Sequence, residues 1–266
     1  MNIQSPSALR TATYESHYAK CKEAYPFQIL NDAYSTTVVR DPINIDRNIL
    51  ESVASDVKDN FENNRDITEN KFALYTNDFT NIKQLEPLCR YIVPQLESNF
   101  FGCYIKIERI HILQNTPDAP LESSWLWHYD NCPKEYLKFA VYLNDVDETC
   151  GPMEIVEGNG YIPVIPTYRI SPTLQGQCLY PGSRIPQDIV QGLIENGGKI
   201  TSLLGPTGTN FLFTPNVIHR GTAPTGPHHR RAIFFFLRPS LKRISNYVAT
   251  AMPKKTPGDV KVYNLD

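Results

Sequence analysis

The feature that most constrains the fold is a succession of short apolar runs, rich in β-branched and aromatic residues, between positions 103 and 239. CYIKIERIHIL (103–113), LKFAVYLNDV (137–146), MEIVEG (153–158), KITSLL (199–204), TNFLFTP (209–215) and RAIFFFLRP (231–239) each read as a strand closed by a turn signal. No helical period lies between most of them. Strands joined without crossover helices pair antiparallel, so the pattern predicts a barrel or sandwich. In the first run the alternation slips at Glu108–Arg109, which predicts a bulge.

The first hundred residues have a different texture. Ile49, Leu50, Val53, Val57 and Phe61 recur at spacings of three and four, predicting an amphipathic helix over 46–64 with Asp46 as its N-cap. Leu85, Leu88, Ile92 and Leu96 predict a second helix over 81–99, bent or split at Pro87 and Pro94. A Pro- and Gly-rich stretch follows the third strand, YIPVIPTYRISPTLQGQCLYPGSRIPQD (161–188), without sustained period. A long irregular segment inside a compact domain commonly serves as a lid, here expected over about 160–198. The residues from 241 to 266 read as a terminal helix or tail. The chain as a whole is expected to be one mainly-β domain, with a core over 101–240 and a helix-rich support before it.

Composition narrows the partners. The 266 residues carry a net charge of −2, which offers no basic footprint for nucleic acid or an anionic membrane. No run of eighteen apolar residues is present, and MNIQSPSALR lacks the apolar centre of a secretory leader. Six cysteines are scattered without paired spacing, as expected of free thiols in a reducing compartment. A cytoplasmic protein acting on a small molecule is the expectation.

Chemistry concentrates in WLWHYDN (125–131). In an extended segment residues i and i+2 face the same way, so His128 and Asp130 can converge on one ion. A His-x-Asp alone recurs by chance, but His219 closes the apolar run NFLFTPNVIH and can neighbour the pair across a barrel. Two imidazoles and one carboxylate form the facial triad that suits non-haem Fe(II). After His219 a Gly- and Pro-rich turn leads to Arg230 and Arg231, at the start of a very apolar strand. A buried arginine needs a carboxylate, and adjacent residues on a strand face opposite ways, so one should point inward and the other to solvent. Trp125, Trp127 and Tyr129 fit either packing or a pocket wall. His228 and His229 read as a solvated turn, and His111 as a core or cavity-lining residue. GPTGT (205–209) lacks the lysine of a phosphate loop and reads as a turn.

From Cys103 to Ser240 the chain resembles the phytanoyl-CoA dioxygenase-like family of Fe(II)/2-oxoglutarate-dependent oxygenases. The resemblance rests on WHYDN, LKFAVYLNDVDETCGPMEIVEGNG, GTNFLFTPNVIHRGTAP and HRRAIFFFLRP, taken in that order. It implies a double-stranded β-helix (jelly-roll, cupin-like) core with Fe(II) held by His128, Asp130 and His219. It further implies 2-oxoglutarate and O₂ as co-substrates, with Arg230 gripping the far carboxylate and Arg231 in reserve. Gln114 or Asn115 would add a polar contact to 2-oxoglutarate. The chain departs from the family at EGNG, where Pro-Gly-Ser-His is usual, and at Gly221, where a hydroxyl residue is frequent. Asp130 stands where halogenating relatives carry a small residue, which favours hydroxylation. The other readings are an inactive jelly-roll binding protein and a cupin-like metal-dependent isomerase or hydrolase.

Overall fold

The computed structural model describes residues 38–63, 68–69, 73–76, 79, 81–117, 123–130, 132, 136–158, 173–174, 177–178 and 184–251, with single positions between 16 and 23. Seven strands form the larger sheet: β1 (Val38–Arg40), β2 (Thr68–Glu69), β3 (Ala73–Thr76), β4 (Tyr104–Asn115), β5 (Leu137–Tyr142), β10 (Asn210–Phe213) and β12 (Arg231–Ser240). Their spatial order is β1-β10-β5-β12-β4-β3-β2. A smaller sheet runs β11-β6-β9, from β6 (Met153–Glu157), β9 (Lys199–Leu203) and β11 (His219–Gly221). A two-residue pair, β7 (Thr173–Leu174) with β8 (Gln177–Cys178), stands apart. Every named pairing is antiparallel.

The expected bulge is present. β12 pairs Phe236 with Arg109 and Leu237 with Ile107, so Glu108 is the extra residue on β4. Alternation then sorts β12 into two faces. Ile233, Phe235 and Leu237 join the core under the helices, whereas Ala232 and Phe234 face the space between the sheets. Burying side chains on both faces explains why RAIFFFLRP reads as continuously apolar.

Two helices cover the outer face of the large sheet. Asp46 caps α1 (Arg47–Asn63), its Oδ1 accepting from the Asn48 and Ile49 amides at 3.0 and 3.1 Å. The second helix, α2 (Leu85–Leu96), is not split at proline. Pro87 falls in the first turn, where no intrahelical amide bond is lost, and Pro94 sits two residues from the end. The helix continues as a π-turn over Glu97–Phe101 and stops at Gly102, whose φ of 60° is left-handed. The N-terminal region is thus less purely helical than its periodicity implies, because β1, β2 and β3 lie there too. Among the described residues no helix is long and apolar enough to cross a membrane.

Glu97 lies buried in that π-turn and accepts the Ile105 amide at 2.8 Å. Burial pushes its carboxyl up to about 7, against the opposing pull of that hydrogen bond and of Arg243. The folded state therefore holds a proton that the unfolded chain releases earlier, so this group's contribution to stability is full below the ordinary carboxylate range. It is lost as pH rises through about 7. Glu97→Gln is expected to flatten that decline and to gain about 2 kcal/mol above neutrality, read from urea unfolding on either side of the transition.

The irregular stretch expected as a lid lies mostly outside the described residues. Its last part is regular: α3 (Gln187–Glu195) packs Ile189, Val190 and Leu193 with Trp127, Tyr129, Val156 and Ile218. The terminal helix is the short α4 (Tyr247–Ala251), seated against the α2–β4 side.

Candidate metal centre

His128 and His219 belong to distant segments but exchange both backbone hydrogen bonds. The His128 amide donates to the His219 carbonyl at 3.0 Å, and the reverse bond is 2.9 Å. His128 also bridges Arg184, so the segment 125–130 extends the smaller sheet beyond β11. Each imidazole Nδ1 lies 2.8 Å from the carbonyl two residues earlier, Leu126 for His128 and Val217 for His219. Those contacts assign the Nδ1 protons and leave both Nε2 atoms as lone-pair donors. Burial lowers both histidines, His128 to about 4 and His219 well below its ordinary value, so both rings are neutral near pH 7.

Asp130 completes the cluster, its carboxylate 4.0 Å from His128 Nε2 and 3.9 Å from His219 Nε2. Among the described residues these three alone gather as a possible metal-binding group, all ligand atoms lying within 4.8 Å of one another. Burial alone would raise the Asp130 carboxyl. The ammonium of Lys138 and the two imidazoles outweigh it and hold the group well below the usual carboxylate range. Lys138 rises from β5 and pairs directly with Asp130 Oδ2, while its Nζ lies 3.5 Å from His219 Nε2. The sequence reading missed this residue. Its signal was a lone lysine in the apolar strand LKFAVY, every position of which is buried.

The two histidines open on a cavity of about 130 Å³ between the sheets. Its walls include His111, Trp125, Lys138, Gly221, Arg230, Phe234 and Phe236. Arg230 is 5% exposed and its Nε has no hydrogen-bond partner among the described residues. Its guanidinium also meets the Tyr142 hydroxyl. Arg231 turns the other way, its Nε donating to Gln114 Oε1 at 2.6 Å and its Nη2 lying 3.8 Å from Glu62. Two asparagines set this opposition: Asn115 Oδ1 accepts the Arg230 amide and Asn144 Oδ1 the Arg231 amide, both at 2.6 Å.

Asn115 also donates to the Cys150 and Gly151 carbonyls at 2.8 and 3.0 Å, so its amide is engaged as a clamp although it lines the cavity. Gly151 makes the clamp possible. Its φ is +71°, and a Cβ there would stand 2.4 Å from the Thr222 carbonyl and 2.5 Å from Asn115 Nδ2. Gln114 does not line the cavity; the strand alternation places it outside with Arg231. His111 lines the wall and meets Phe236 edge-on at 4.9 Å. His228 and His229 stay in the turn before β12, away from the cluster. The aromatic pair divides: Trp125 faces the cavity, whereas Trp127 lies with α3 beneath Arg220 and donates to Gln187 at 3.1 Å.

Two antiparallel sheets with the cluster between them define a double-stranded β-helix, the jelly-roll of the cupin class. No family model and no curated protein matches the sequence. Among solved structures, the chain is similar to the epimerase SnoN in complex with Fe3+, alpha ketoglutarate and nogalamycin RO, at TM-score 0.55 and 12% identity over 86% of this chain and 84% of that one. It is similar to the non-haem alpha ketoglutarate dependent carbocyclase SnoK from nogalamycin biosynthesis, at 0.51 and 16% over 81% and 91%. HygX from Streptomyces hygroscopicus, with nickel, 2-oxoglutarate and hygromycin B bound, gives 0.50 and 14% over 78% and 85%. At such identities the likeness is one of fold.

Proposed function

We propose that the chain is a single-domain, non-haem Fe(II)- and 2-oxoglutarate-dependent oxygenase of the phytanoyl-CoA dioxygenase-like type. The observation that carries this reading is one cavity lined by both histidines of a His-Asp-His cluster and by a buried arginine whose Nε has no partner among the described residues. The residues fit the groups. Two neutral nitrogens and a carboxylate match the donor preference of Fe(II), and a guanidinium of this kind matches a carboxylate. His128, Asp130 and His219 would hold the ion, and Arg230 the far carboxylate of 2-oxoglutarate. An ion held there would let O₂ oxidise 2-oxoglutarate and the substrate together, giving succinate and CO₂ as co-products.

The chain's own residues position and exclude. Leu126 and Val217 carbonyls fix the two rings, and Arg230 sets the orientation of the co-substrate before reaction. Phe234, Phe236, Leu113 and Met153 line the cavity with apolar surface that keeps water from the reacting atoms. Hydroxylation is the reaction we assign, supported by Asp130, and a small organic or natural-product-type substrate is supported by the nogalamycin RO and hygromycin B ligands of SnoN and HygX. A cytoplasmic setting belongs to the same reading, in which Cys21, Cys89, Cys103, Cys132 and Cys150 remain free thiols.

The test is succinate formation from 2-oxoglutarate by the full chain with Fe(II), in air and under argon. Turnover that needs neither 2-oxoglutarate nor O₂ would favour a cupin-like isomerase or hydrolase. Absence of metal uptake would favour a binding protein.

Lys138 gives a separate check on the metal. Lys138→Met leaves Asp130 charged and short of its counter-ion, which is expected to cost metal-free protein about 2 kcal/mol or more. Added Mn(II) takes over the counter-charge and is expected to restore most of the lost Tm, measured by thermal unfolding with and without the ion.

A further inference from the structure

Lys138 is 7% exposed and faces the cavity, and Asp130 is the carboxylate it pairs with among the described residues. Its other neighbours are His219 Nε2 at 3.5 Å and the Phe236 and Phe213 rings, 4.8 and 5.9 Å from Nζ, which favour a cation but carry no charge to neutralise one. On the function proposed above, a bound ion claims the Asp130 carboxylate. The two charges of that ion and the one on Arg230 are then offset by Asp130 and the dicarboxylate of 2-oxoglutarate. The charge on Lys138 is left over, in a buried wall, beside the place where a substrate must lie. An unpaired buried ammonium is costly, and the cavity lining includes no carboxylate among the described residues.

We infer that Lys138 changes partner on loading, and that the primary substrate carries a singly charged anionic group which this ammonium anchors. A compact ammonium accepts a carboxylate or a sulfonate equally well, so the charge is the recognised chemistry. Lys138 is therefore a specificity-determining residue, while Arg230 serves the co-substrate. This inference rests on the metal and 2-oxoglutarate reading.

The test is calorimetric titration of the full chain loaded with Mn(II) and 2-oxoglutarate. The probes are matched pairs: acetate and acetamide, benzoate and benzamide, methanesulfonate and methanesulfonamide. At least one anion is expected to bind about tenfold or more tightly than its neutral partner. Lys138→Met is expected to abolish that preference without weakening 2-oxoglutarate, and Lys138→Arg to retain it. Metal-free wild type, where Asp130 still holds Lys138, is expected to show no preference, which gives a readout should the Met variant fail to fold. The inference is overturned if no pair shows a charge preference, or if the preference survives in Lys138→Met or in metal-free wild type. It is also overturned if Lys138→Met loses about tenfold in 2-oxoglutarate affinity, because Lys138 would then serve the co-substrate. Should wild type bind neither Mn(II) nor 2-oxoglutarate, the proposed function falls instead. The anion test then moves to Asp130→Asn, where Lys138 has lost its carboxylate without any metal: a charge preference there supports the anchor, and none overturns it.

Discussion

Replacing His219 by alanine is expected to bring succinate formation to background and to weaken Mn(II) binding by more than about a hundredfold. Changes in outer contacts of a metal site already cost about 10–100-fold, and losing a ligand removes more. The fold should survive, because the pairing of His219 with His128 runs through backbone atoms that alanine keeps. Loss of the imidazole removes its contact with the Val217 carbonyl, so a small drop in Tm is expected alongside. Mn(II) binding followed by electron paramagnetic resonance, together with far-ultraviolet circular dichroism, separates the two effects. His128→Ala should behave alike, its ring being held in the same way by the Leu126 carbonyl. Retention of metal-dependent turnover by either variant would defeat the assignment of the triad.

The second large effect concerns the paired arginines. Arg230→Met is expected to raise the Kd for 2-oxoglutarate by about two orders of magnitude, as loss of one partner of a buried charge pair costs about 2–5 kcal/mol. Arg231→Met is expected to leave that Kd within about threefold. It loses only a partly buried contact to Gln114 and a partly exposed one to Glu62, and should lower stability by about 1 kcal/mol. Titration of 2-oxoglutarate into the Mn(II)-loaded variants measures both. Equal losses in the two variants would show that the inward and outward faces of β12 are wrongly assigned.

Much of this arrangement was legible in the sequence because it follows short-range rules. The two-residue period placed His128 and Asp130 on one side, and the slip at Glu108 reappears as the unpaired residue opposite β12. The same period predicted that Arg230 and Arg231 would part, but which one faces inward needed Asn115 and Asn144, whose bonds span long separations. Trp125 and Trp127 were ambiguous for a related reason. A 3₁₀ turn over Ser123–Trp125 precedes the extended segment and breaks the alternation between them. Lys138 was missed because a strand reading weighs the average of LKFAVY, whereas the chemistry lies in its exception. The helix α3 was hidden in a Pro- and Gly-rich stretch, its apolar face too short to set a period. The strands β1 and β3 pair with β10 and β4, partners distant in sequence that no local pattern near Val38 or Ala73 announces.

The mutual backbone bonds of His128 and His219 have a consequence for how the protein lives with its metal. Small metal-dependent domains take their order from the ion and collapse when it is chelated. Here the ligand-bearing segments are stitched by main-chain bonds that owe nothing to a metal, and both rings are already aimed by carbonyls. On the function proposed above, iron in such a scaffold would be replaceable cargo. A molecule stripped by a chelator, or starved of iron at synthesis, would stay folded and be recharged in place, so its working fraction would follow iron supply without degradation or resynthesis of the chain.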